Sequence, residues 1–240
     1  MSACDDLTGK LFDPQLGREI LRRLRSTFSI DDREFIGLYV ARREGDPFKV
    51  LVATILSQNT SEANAFRAYE SLRERLGVSP EELSRAPVEA IEEAVKPAGL
   101  YRAKARAIKE LARVIVHEGV DLRELLSRGE EEVRSFLSKI KGIGPKTIDV
   151  LLANWGYPVV PVDTHVRRVA IRLGLAPPNA GYEEVRASLE RVFPPKERLE
   201  AHLLLIKLGR TLCRARRPRC NACPLTDICA FSQTCEKERS

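Results

Sequence analysis

Ile140-Lys-Gly-Ile-Gly-Pro-Lys-Thr147 joins two segments of helical periodicity through a pair of glycines. Gly142 and Gly144 permit the positive φ of a tight turn, and Pro145 is well suited to the first turn of a following helix. Glycines that open a helix expose backbone N–H groups at its positive end, which favours phosphate binding. A plain connection between two helices is the alternative, and the turn alone does not decide between them.

Helical spacing of apolar residues extends on both sides of this turn. It appears in residues 15–26, 48–57, 102–117 and 130–140. Ser79-Pro-Glu-Glu82 has the composition of a helix start, with a capping Ser and a Glu three residues later. Val159-Val-Pro-Val162 is the one β-like piece, and its Pro indicates an extended connector rather than a strand. The sequence therefore predicts an all-α fold.

Length and composition exclude several classes of protein. The chain has 240 residues, 43% of them hydrophobic, which suffices for one large or two modest domains and argues against disorder. No apolar run reaches the roughly 18 residues of a membrane span. Met1-Ser-Ala-Cys-Asp-Asp6 lacks the basic and apolar regions of an export signal. We therefore expect a cytoplasmic protein with no membrane partner.

Positive charge is concentrated in the C-terminal third of the chain. The net charge is +6, and residues 159–240 contain 15 Lys and Arg against 9 Asp and Glu, which favours a polyanionic partner. Arg outnumbers Lys by 29 to 11, and there is a single Met. This bias suits phosphate contacts or a thermophilic host, and composition does not separate the two. The charge step near residue 159 is also the best candidate for a domain boundary.

Two ionisable residues accompany helix-start signals. Lys146 falls in the first turn of the helix after the glycines, where a cation is electrostatically unfavourable. It is either a solvated phosphate-binding residue or an amine whose pKa the helix end lowers, which makes it a nucleophile toward a sugar carbon. Asp163 is either the N-cap of a helix beginning near Thr164 or a carboxylate that stabilises a positively charged sugar. Asp149 is the rival carboxylate, and we expect it to form a local ion pair with Lys146.

Five of the six cysteines fall between residues 213 and 235. Without an export signal, such a group indicates a metal site rather than a disulfide framework. Its spacing supplies four thiolates for one tetrahedral ion or one [4Fe–4S] cluster, although zinc ribbons usually have two C-x-x-C pairs and this chain has one. The four candidate ligands are Cys213, Cys220, Cys223 and Cys229. Cys4 and Cys235 remain outside this set, and a disulfide between them is an open alternative.

An arginine-rich loop connects the first two candidate ligands. It reads Arg214-Ala-Arg-Arg-Pro-Arg219, and its like charges would repel one another without an anionic partner. Held in place by a metal site, the loop becomes a preformed surface for phosphate. The candidate phosphate-binding residues are Arg214, Arg216, Arg217 and Arg219.

Taken in order from Pro47 to Cys229, these segments resemble the endonuclease III family of DNA repair glycosylases. The resemblance is carried by five motifs together with the cysteine spacing. The motifs are Leu56-Ser-Gln-Asn-Thr60, Gly99-Leu-Tyr101, Ile140-Lys-Gly-Ile-Gly-Pro-Lys-Thr147, Val162-Asp-Thr-His165 and Leu208-Gly-Arg210. Lys141 and Pro145 replace the family's usual Pro and Arg in the turn. The first adds a charge near phosphate, and the second is compatible with a helix start.

The resemblance implies two α-helical lobes with DNA in the cleft between them. One lobe is a six-helix barrel, residues 41–158, and the other is formed by both termini, residues 1–40 and 159–240, with a [4Fe–4S] cluster on the four cysteines. Lys146 takes the family's role of Schiff-base nucleophile, and Asp163 that of the essential carboxylate. The residues that match the family's gap-filling positions, which occupy the space left by a flipped nucleotide, are Gln58, Leu100 and His165.

The implied function is that of a monomeric, nucleoid-associated enzyme of base excision repair, acting on double-stranded DNA with a damaged base or an abasic site. Lys146 favours removal of oxidised pyrimidines followed by β-elimination, because adenine- and thymine-mismatch relatives carry a residue such as Ser or Tyr there. Mismatch-specific excision is the alternative within the superfamily. A non-catalytic Fe–S DNA-binding module is the alternative of another class, and Asp163 argues against it because phosphate binding needs no carboxylate.

Overall fold

The computed structural model describes residues 14–232 of the chain. Within this range the chain forms α-helices, short 3-10 helices and loops, with no β-strand, which confirms the predicted all-α fold. The α-helices of the described range are α1 (Pro14–Thr27), α2 (Ile36–Glu44), α3 (Pro47–Ser57), α4 (Glu62–Leu76), α5 (Pro80–Arg85), α6 (Val88–Val95), α7 (Tyr101–Glu118), α8 (Leu122–Arg128), α9 (Glu130–Leu137), α10 (Pro145–Asn154), α11 (Thr164–Leu173), α12 (Tyr182–Val192) and α13 (Arg198–Thr211). No helix among them combines the length and the apolar character that crossing a membrane requires.

Helices begin where the sequence supplies capping residues. The side chains of Asp46, Ser79 and Asp163 each accept a hydrogen bond from the backbone N–H three residues later. Such caps satisfy N–H groups that have no acceptor within the helix. The predicted helix starts after Ser79 and at Thr164 are confirmed, and residues 159–162 form the extended connector that their Pro indicates.

The described residues divide into two compact units. The central unit comprises residues 31–157, and the terminal unit comprises residues 14–30 and 158–232. In the central unit, α3 is buried on all sides and contacts α2, α4, α7, α8 and α10. A helix without a polar face is stable only when neighbours surround it. The helices α7 and α10, which carry or follow candidate residues of this unit, therefore pack on α3.

In the terminal unit, helices from both ends of the chain share one core. Helix α1 packs against α12 and α13, and α11 packs against α13. Gly17 of α1 lies so close to the main chain of α12 that an added Cβ would be 2.0 Å from the carbonyl oxygen of Val192. The central unit starts at residue 31 rather than at 41, because Ile36, Leu38 and Val40 of α2 are buried and α2 packs on α3.

Candidate active site

The two glycines of the turn have different backbone conformations. Gly142 has a φ of +97°, and an added Cβ would lie 2.5 Å from the Cβ of Ala107 on α7, so only glycine fits there. Gly144 has a φ of −100° and does not use the positive φ that glycine permits, because it occupies the extended N-cap position of α10. An added Cβ at Gly144 would meet nothing within 4 Å. Its lack of a side chain leaves the approach to the helix start open.

Lys146 is the second residue of α10 and is half-buried, and Pro145 is the first, as predicted. The next residue, Thr147, is buried, and its hydroxyl oxygen accepts a hydrogen bond from Nε2 of Gln58 at 3.0 Å. Gln58 directly follows α3. The structure thus brings one predicted gap-filling residue to the start of the helix that carries the predicted nucleophile, although 88 positions separate them in the chain.

Leu100 is the most exposed large apolar side chain of the described residues, at 63%. It precedes α7 and has a left-handed backbone conformation, with φ of 48° and ψ of 29°. A branched residue in this region is strained by about 1–2 kcal/mol. Neither the exposure nor the conformation helps the chain to fold, which distinguishes Leu100 from an ordinary packing residue.

Lys104 is a buried residue of this region that the sequence reasoning missed. Its ammonium donates to the carbonyl oxygens of Leu56, at 2.8 Å, and of Ala98, at 2.9 Å. The first carbonyl lies two residues before Gln58 and the second two residues before Leu100, so one side chain connects both predicted gap-filling segments to α7. Burial lowers the pKa of Lys104 to about 8. Its position four residues before the apolar Ile108, on the buried stripe of α7, is the signal that could have revealed it.

Asp149 is fully buried and has a partner that local spacing did not reveal. Its carboxylate pairs with the guanidinium of Arg134 on α9. Arg134 also bonds to Glu130 at 2.7 Å. Because a buried carboxylate needs such compensation, this pair connects α9 to α10 on the two sides of the glycine turn.

Asp163 and His165 lie at the start of α11, in the terminal unit. Oδ1 of Asp163 accepts the N–H of Val166 at 2.7 Å, so the carboxylate caps the helix as one of its two predicted roles requires. The ring of His165 is half-buried, and its Nδ1 is 3.1 Å from the guanidinium of Arg168. Burial is the main cause that lowers the pKa of His165, and it favours the neutral form of the ring.

The four candidate metal ligands line one cavity in the terminal unit. They are present as thiols rather than disulfides. Burial raises the pKa of the thiols of Cys223 and Cys229, and the charges of the neighbouring sulfurs raise it further. Four thiolates in one apolar cavity therefore require a cation. Across residues 14–232, no three His, Cys, Asp or Glu side chains are placed to hold a single metal ion.

Arg172 of α11 holds the loop around these cysteines. Its guanidinium donates to the carbonyl oxygens of Arg214, at 2.6 Å, and Ala215, at 3.0 Å, and lies 3.4 Å from Sγ of Cys213. It also sits 4.7 Å from the centroid of the Phe231 ring. The predicted phosphate-binding side chains of this loop, which are all exposed, are Arg214, Arg216, Arg217 and Arg219. The remaining cysteines, Cys4 and Cys235, lie outside the described residues.

The predicted site residues are divided between the two units. Gln58, Leu100 and Lys146 belong to the central unit, where Lys104 and Thr147 connect their segments. Gly142 and Gly144 of the turn also belong to the central unit, whereas Asp163, His165, the four cysteines and the four arginines of the loop belong to the terminal unit.

Comparisons with known proteins identify the family of the chain. The model of the HhH-GPD superfamily of base excision DNA repair proteins matches residues 52–195. Endonuclease III of Sulfolobus acidocaldarius is 35% identical over 218 residues, covering 90% of this chain and 96% of that protein. Endonuclease III of Escherichia coli is 32% identical over 189 residues, covering 78% of this chain and 85% of that protein.

Solved structures extend the agreement to the fold. A non-covalent Endonuclease III–DNA complex matches with a TM-score of 0.77 at 29% identity, covering 94% of this chain and 99% of that chain. A thermostable thymine-DNA glycosylase matches with a TM-score of 0.74 at 21% identity, covering 95% and 99%, which shows a shared fold alone. Because the superfamily model spans more than half of the chain and the relatives align over most of their length, the chain belongs to the endonuclease III family of the HhH-GPD superfamily.

Proposed function

We propose that this protein is a bifunctional DNA glycosylase and abasic-site lyase of base excision repair. Its substrate is double-stranded DNA with a damaged base, chiefly an oxidised pyrimidine, or with an abasic site, and it acts as a monomer at the nucleoid. The observation that carries the proposal is Lys146, a half-buried amine in a helix opened by a glycine turn, in a chain 35% identical to an Endonuclease III. The turn contacts phosphates without reading sequence, and Lys146 supplies the nucleophile.

Lys146 performs the covalent steps. Its neutral amine attacks the anomeric carbon of the damaged nucleotide, the glycosidic bond breaks, and the base leaves with the bonding electron pair and takes up a proton. The sugar ring opens to a protonated imine on Lys146. Loss of a proton from the adjacent sugar carbon then expels the 3′ phosphate, which cuts the strand by β-elimination. Water hydrolyses the imine and returns the free amine.

Asp163 stabilises the positive charge that develops on the sugar as the base departs, as carboxylates do in glycoside hydrolysis. Its capping bond to the N–H of Val166 uses Oδ1, so capping and catalysis use different oxygens of one carboxylate. The cap also fixes the side chain before the substrate arrives. A charge that is already oriented stabilises a transition state without further reorganisation.

Leu100, Gln58 and His165 fill the gap in the duplex. A glycosylase must extrude its target nucleotide, at a cost of about a few kcal/mol for unstacking and unpairing. The exposed side chain of Leu100 enters the base stack, and Gln58, held at the start of α10, occupies the vacated space. His165, the family's third gap-filling position, acts from the start of α11.

A [4Fe–4S] cluster fits the four cysteines better than a single zinc ion. The four thiols line one cavity, and their spacing contains a single C-x-x-C pair, whereas zinc ribbons usually contain two. The residues that would hold it are Cys213, Cys220, Cys223 and Cys229. When bound, the cluster supplies a structural cross-link. The exposed loop residues that would then contact phosphate are Arg214, Arg216, Arg217 and Arg219.

Borohydride trapping on abasic DNA tests the proposal. Borohydride reduces the imine to a stable covalent adduct, so the wild-type protein should be captured on the DNA and should cut it. Lys146→Ala should abolish both results and retain DNA affinity. Lys139→Ala, which removes an exposed lysine just before the same turn, is the matched control and should retain all three. An adduct with Lys146→Ala contradicts the assignment, and wild-type binding without an adduct indicates the non-catalytic module.

Excision from a panel of duplexes tests the substrate class. Duplexes carrying thymine glycol, dihydrouracil, uracil, 8-oxoguanine and mismatches should be compared at equal enzyme concentration. If thymine glycol and dihydrouracil, the oxidised and the reduced pyrimidine of this panel, are released fastest, the proposed substrate is supported. Fastest release from mismatches would replace it with mismatch-specific excision.

A further inference from the structure

An open groove lies beside the glycine turn on the outer face of α7. Residues that line it include Ala103, Arg106, Ala107, Lys141 and Gly142. A second depression next to it is lined by Leu100, Tyr101, Arg102, Ala103 and Arg106. Since they share Ala103 and Arg106, the two depressions form one surface from Leu100 to the turn, which we name the α7 strip. At 1.5 Å per residue, the helix advances about 9 Å from Leu100 to Arg106.

The α7 strip has a rigid base. Gly142 rests directly on α7, because an added Cβ would lie 2.5 Å from that of Ala107. Ile143, the next residue of the turn, is buried. Lys109 also borders the groove, but its ammonium is committed to the carbonyl oxygens of Ser84, at 2.7 Å, and Ala86, at 2.6 Å. The fold therefore fixes the turn against α7 and leaves two other cations to face the groove.

Those two cations are Arg106 and Lys141, and both are exposed. Nε of Arg106 donates to the backbone carbonyl of Arg102 at 3.2 Å, and within the described part of the chain neither cation forms an ion pair. Glu110, the acidic residue of the groove, accepts two bonds from Arg113, at 3.0 and 2.8 Å. Its negative charge is therefore already compensated. Lys141 also attracts Glu110 electrostatically, so the groove presents a net positive charge, carried by Arg106 and Lys141 against one carboxylate that Arg113 already binds.

We propose that Arg106 and Lys141 form a further phosphate-binding site that holds the DNA backbone between the glycine turn and Leu100. This inference rests on the proposed function, since it takes the turn and Leu100 as DNA contacts. A strand of DNA carries one phosphate per about 3.4 Å of helix axis and a longer path between phosphates along its backbone, so the roughly 9 Å of the α7 strip is long enough to contact two phosphates of one strand. Arg106 and Lys141, at the end of the α7 strip next to the glycine turn, provide one cation for each of two phosphates.

The groove is open and continues into the depression at Leu100, which favours an extended polymer over a small ligand. Arg106 and Lys141 also come from segments 35 positions apart, so a backbone that follows the surface contacts both. Binding of an acidic protein is a different outcome, and the test below separates it from DNA binding.

The salt dependence of DNA binding tests the proposal. The affinity of each protein for a duplex with a tetrahydrofuran abasic analogue, which cannot react, should be measured by fluorescence anisotropy from 50 to 200 mM salt. Each lost phosphate contact lowers the slope of log affinity against log salt by about 0.9. The affinity of each protein falls by a certain factor between 50 and 200 mM salt. This factor should be about 3.5 times smaller for Arg106→Ala than for the wild type, and about 12 times smaller for the Arg106→Ala, Lys141→Ala double variant.

The matched control is Arg75→Ala, which removes an exposed arginine from α4 in the same unit and should keep the wild-type slope. Thermal melting should confirm that all variants are folded. Equal slopes for the wild type, the double variant and the control would overturn the phosphate site, while the proposed function would stand. A wild type that does not bind the duplex would overturn the proposed function itself.

Neutral methylphosphonates, introduced one position at a time, identify the phosphate. At one position or two adjacent positions, the substitution should weaken binding of the wild type and leave that of the double variant unchanged. If every position affects both proteins equally, Arg106 and Lys141 do not contact the backbone, and an acidic protein becomes the better partner for the groove.

Discussion

Lys104 in the central unit and Arg172 in the terminal unit both hold main-chain carbonyls of a candidate DNA-contacting segment, but in different surroundings. Lys104 is 4% exposed, whereas Arg172 is half-buried. The buried ammonium of Lys104 has lost its hydration and is bound by two carbonyl oxygens instead. Its lowered pKa reflects the free-energy cost of this desolvation. A guanidinium is more weakly hydrated than an ammonium and keeps five donors in a fixed plane.

This difference predicts how the stability of each region changes when Lys104 or Arg172 is replaced. Removing Lys104 leaves two carbonyls unsatisfied inside the packed central unit, so the whole unit loses stability. Removing Arg172 releases the carbonyls of an exposed loop, where water can replace it. The first region is therefore stabilised globally and the second locally. The following variants test this contrast, ordered by their expected effect on stability.

Lys104→Met should have the largest effect. It keeps the aliphatic length but removes the donor to Leu56 and Ala98, and we expect a loss of about 1–3 kcal/mol at pH 7, measured by urea unfolding. The folded-state pKa of about 8 lies below the ordinary 10.5, so the wild type gains stability as pH rises through this window. The difference between wild type and variant should widen by about 2 kcal/mol from pH 7 to 9.5.

A matched control for this pH dependence is Lys139→Met, which removes an exposed lysine from the same unit. Its stability should follow the wild type at every pH. If the gap between Lys104→Met and the wild type stays constant or narrows with rising pH, the buried ammonium is not the group that titrates.

Asp163 should show the next largest effect, because it combines a cap with a proposed catalytic charge. Asn is as good a cap as Asp, whereas Ala costs about 1 kcal/mol. Asp163→Ala should lower the melting temperature and the rate of base release, and Asp163→Asn should lower the rate alone. Asp46→Asn, which alters a cap in the central unit, is the control for a change of charge at a cap. Normal turnover by Asp163→Asn would show that Asp163 only caps α11 and takes no part in catalysis.

Arg172→Met should change global stability little but weaken the cysteine loop. The purified wild type should be yellow-brown, with broad absorbance near about 400 nm if a [4Fe–4S] cluster is bound. Because groups around a metal site orient its ligands, the variant should lose this absorbance about tenfold faster in the presence of a chelator. Arg167→Met is the control, since Arg167 lies on the same helix and donates to Ala180. A colourless, fully active wild type containing zinc would contradict the cluster.

The sequence predicted those features that depend on local signals. Helical periodicity and capping residues were sufficient for the helices, and α3 was recognisable from the many apolar residues of positions 48–57. Motif spacing identified the cysteine group because its ligands lie close together in the chain. Contacts between distant segments were not predictable, among them the bonds of Lys104 to Leu56 and of Gln58 to Thr147. The sign of φ at Gly142 and Gly144 was not predictable either, because glycine is compatible with both signs.

Leu100 should show the smallest effect on stability and a large effect on function. Its side chain is 63% exposed, so Leu100→Ala removes little buried area and should change the free energy of unfolding by no more than about 0.5 kcal/mol. Leu100→Gly should be neutral or stabilising, because glycine adopts the left-handed conformation without strain. Both variants should nevertheless release damaged bases more slowly from paired duplexes, since no side chain enters the stack after extrusion.

The substrate dependence of this loss distinguishes a gap-filling residue from a packing residue. Excision from single-stranded DNA and cleavage of already abasic DNA require less unstacking, so Leu100→Ala should affect them less than excision from a paired duplex. Val116→Ala is the matched control, because Val116 is an exposed apolar residue of the same helix, at 43%, and should leave every activity unchanged. Equal losses of activity on all substrates, or a large fall in melting temperature, would show that Leu100 stabilises the folded protein and does not fill the gap in the duplex.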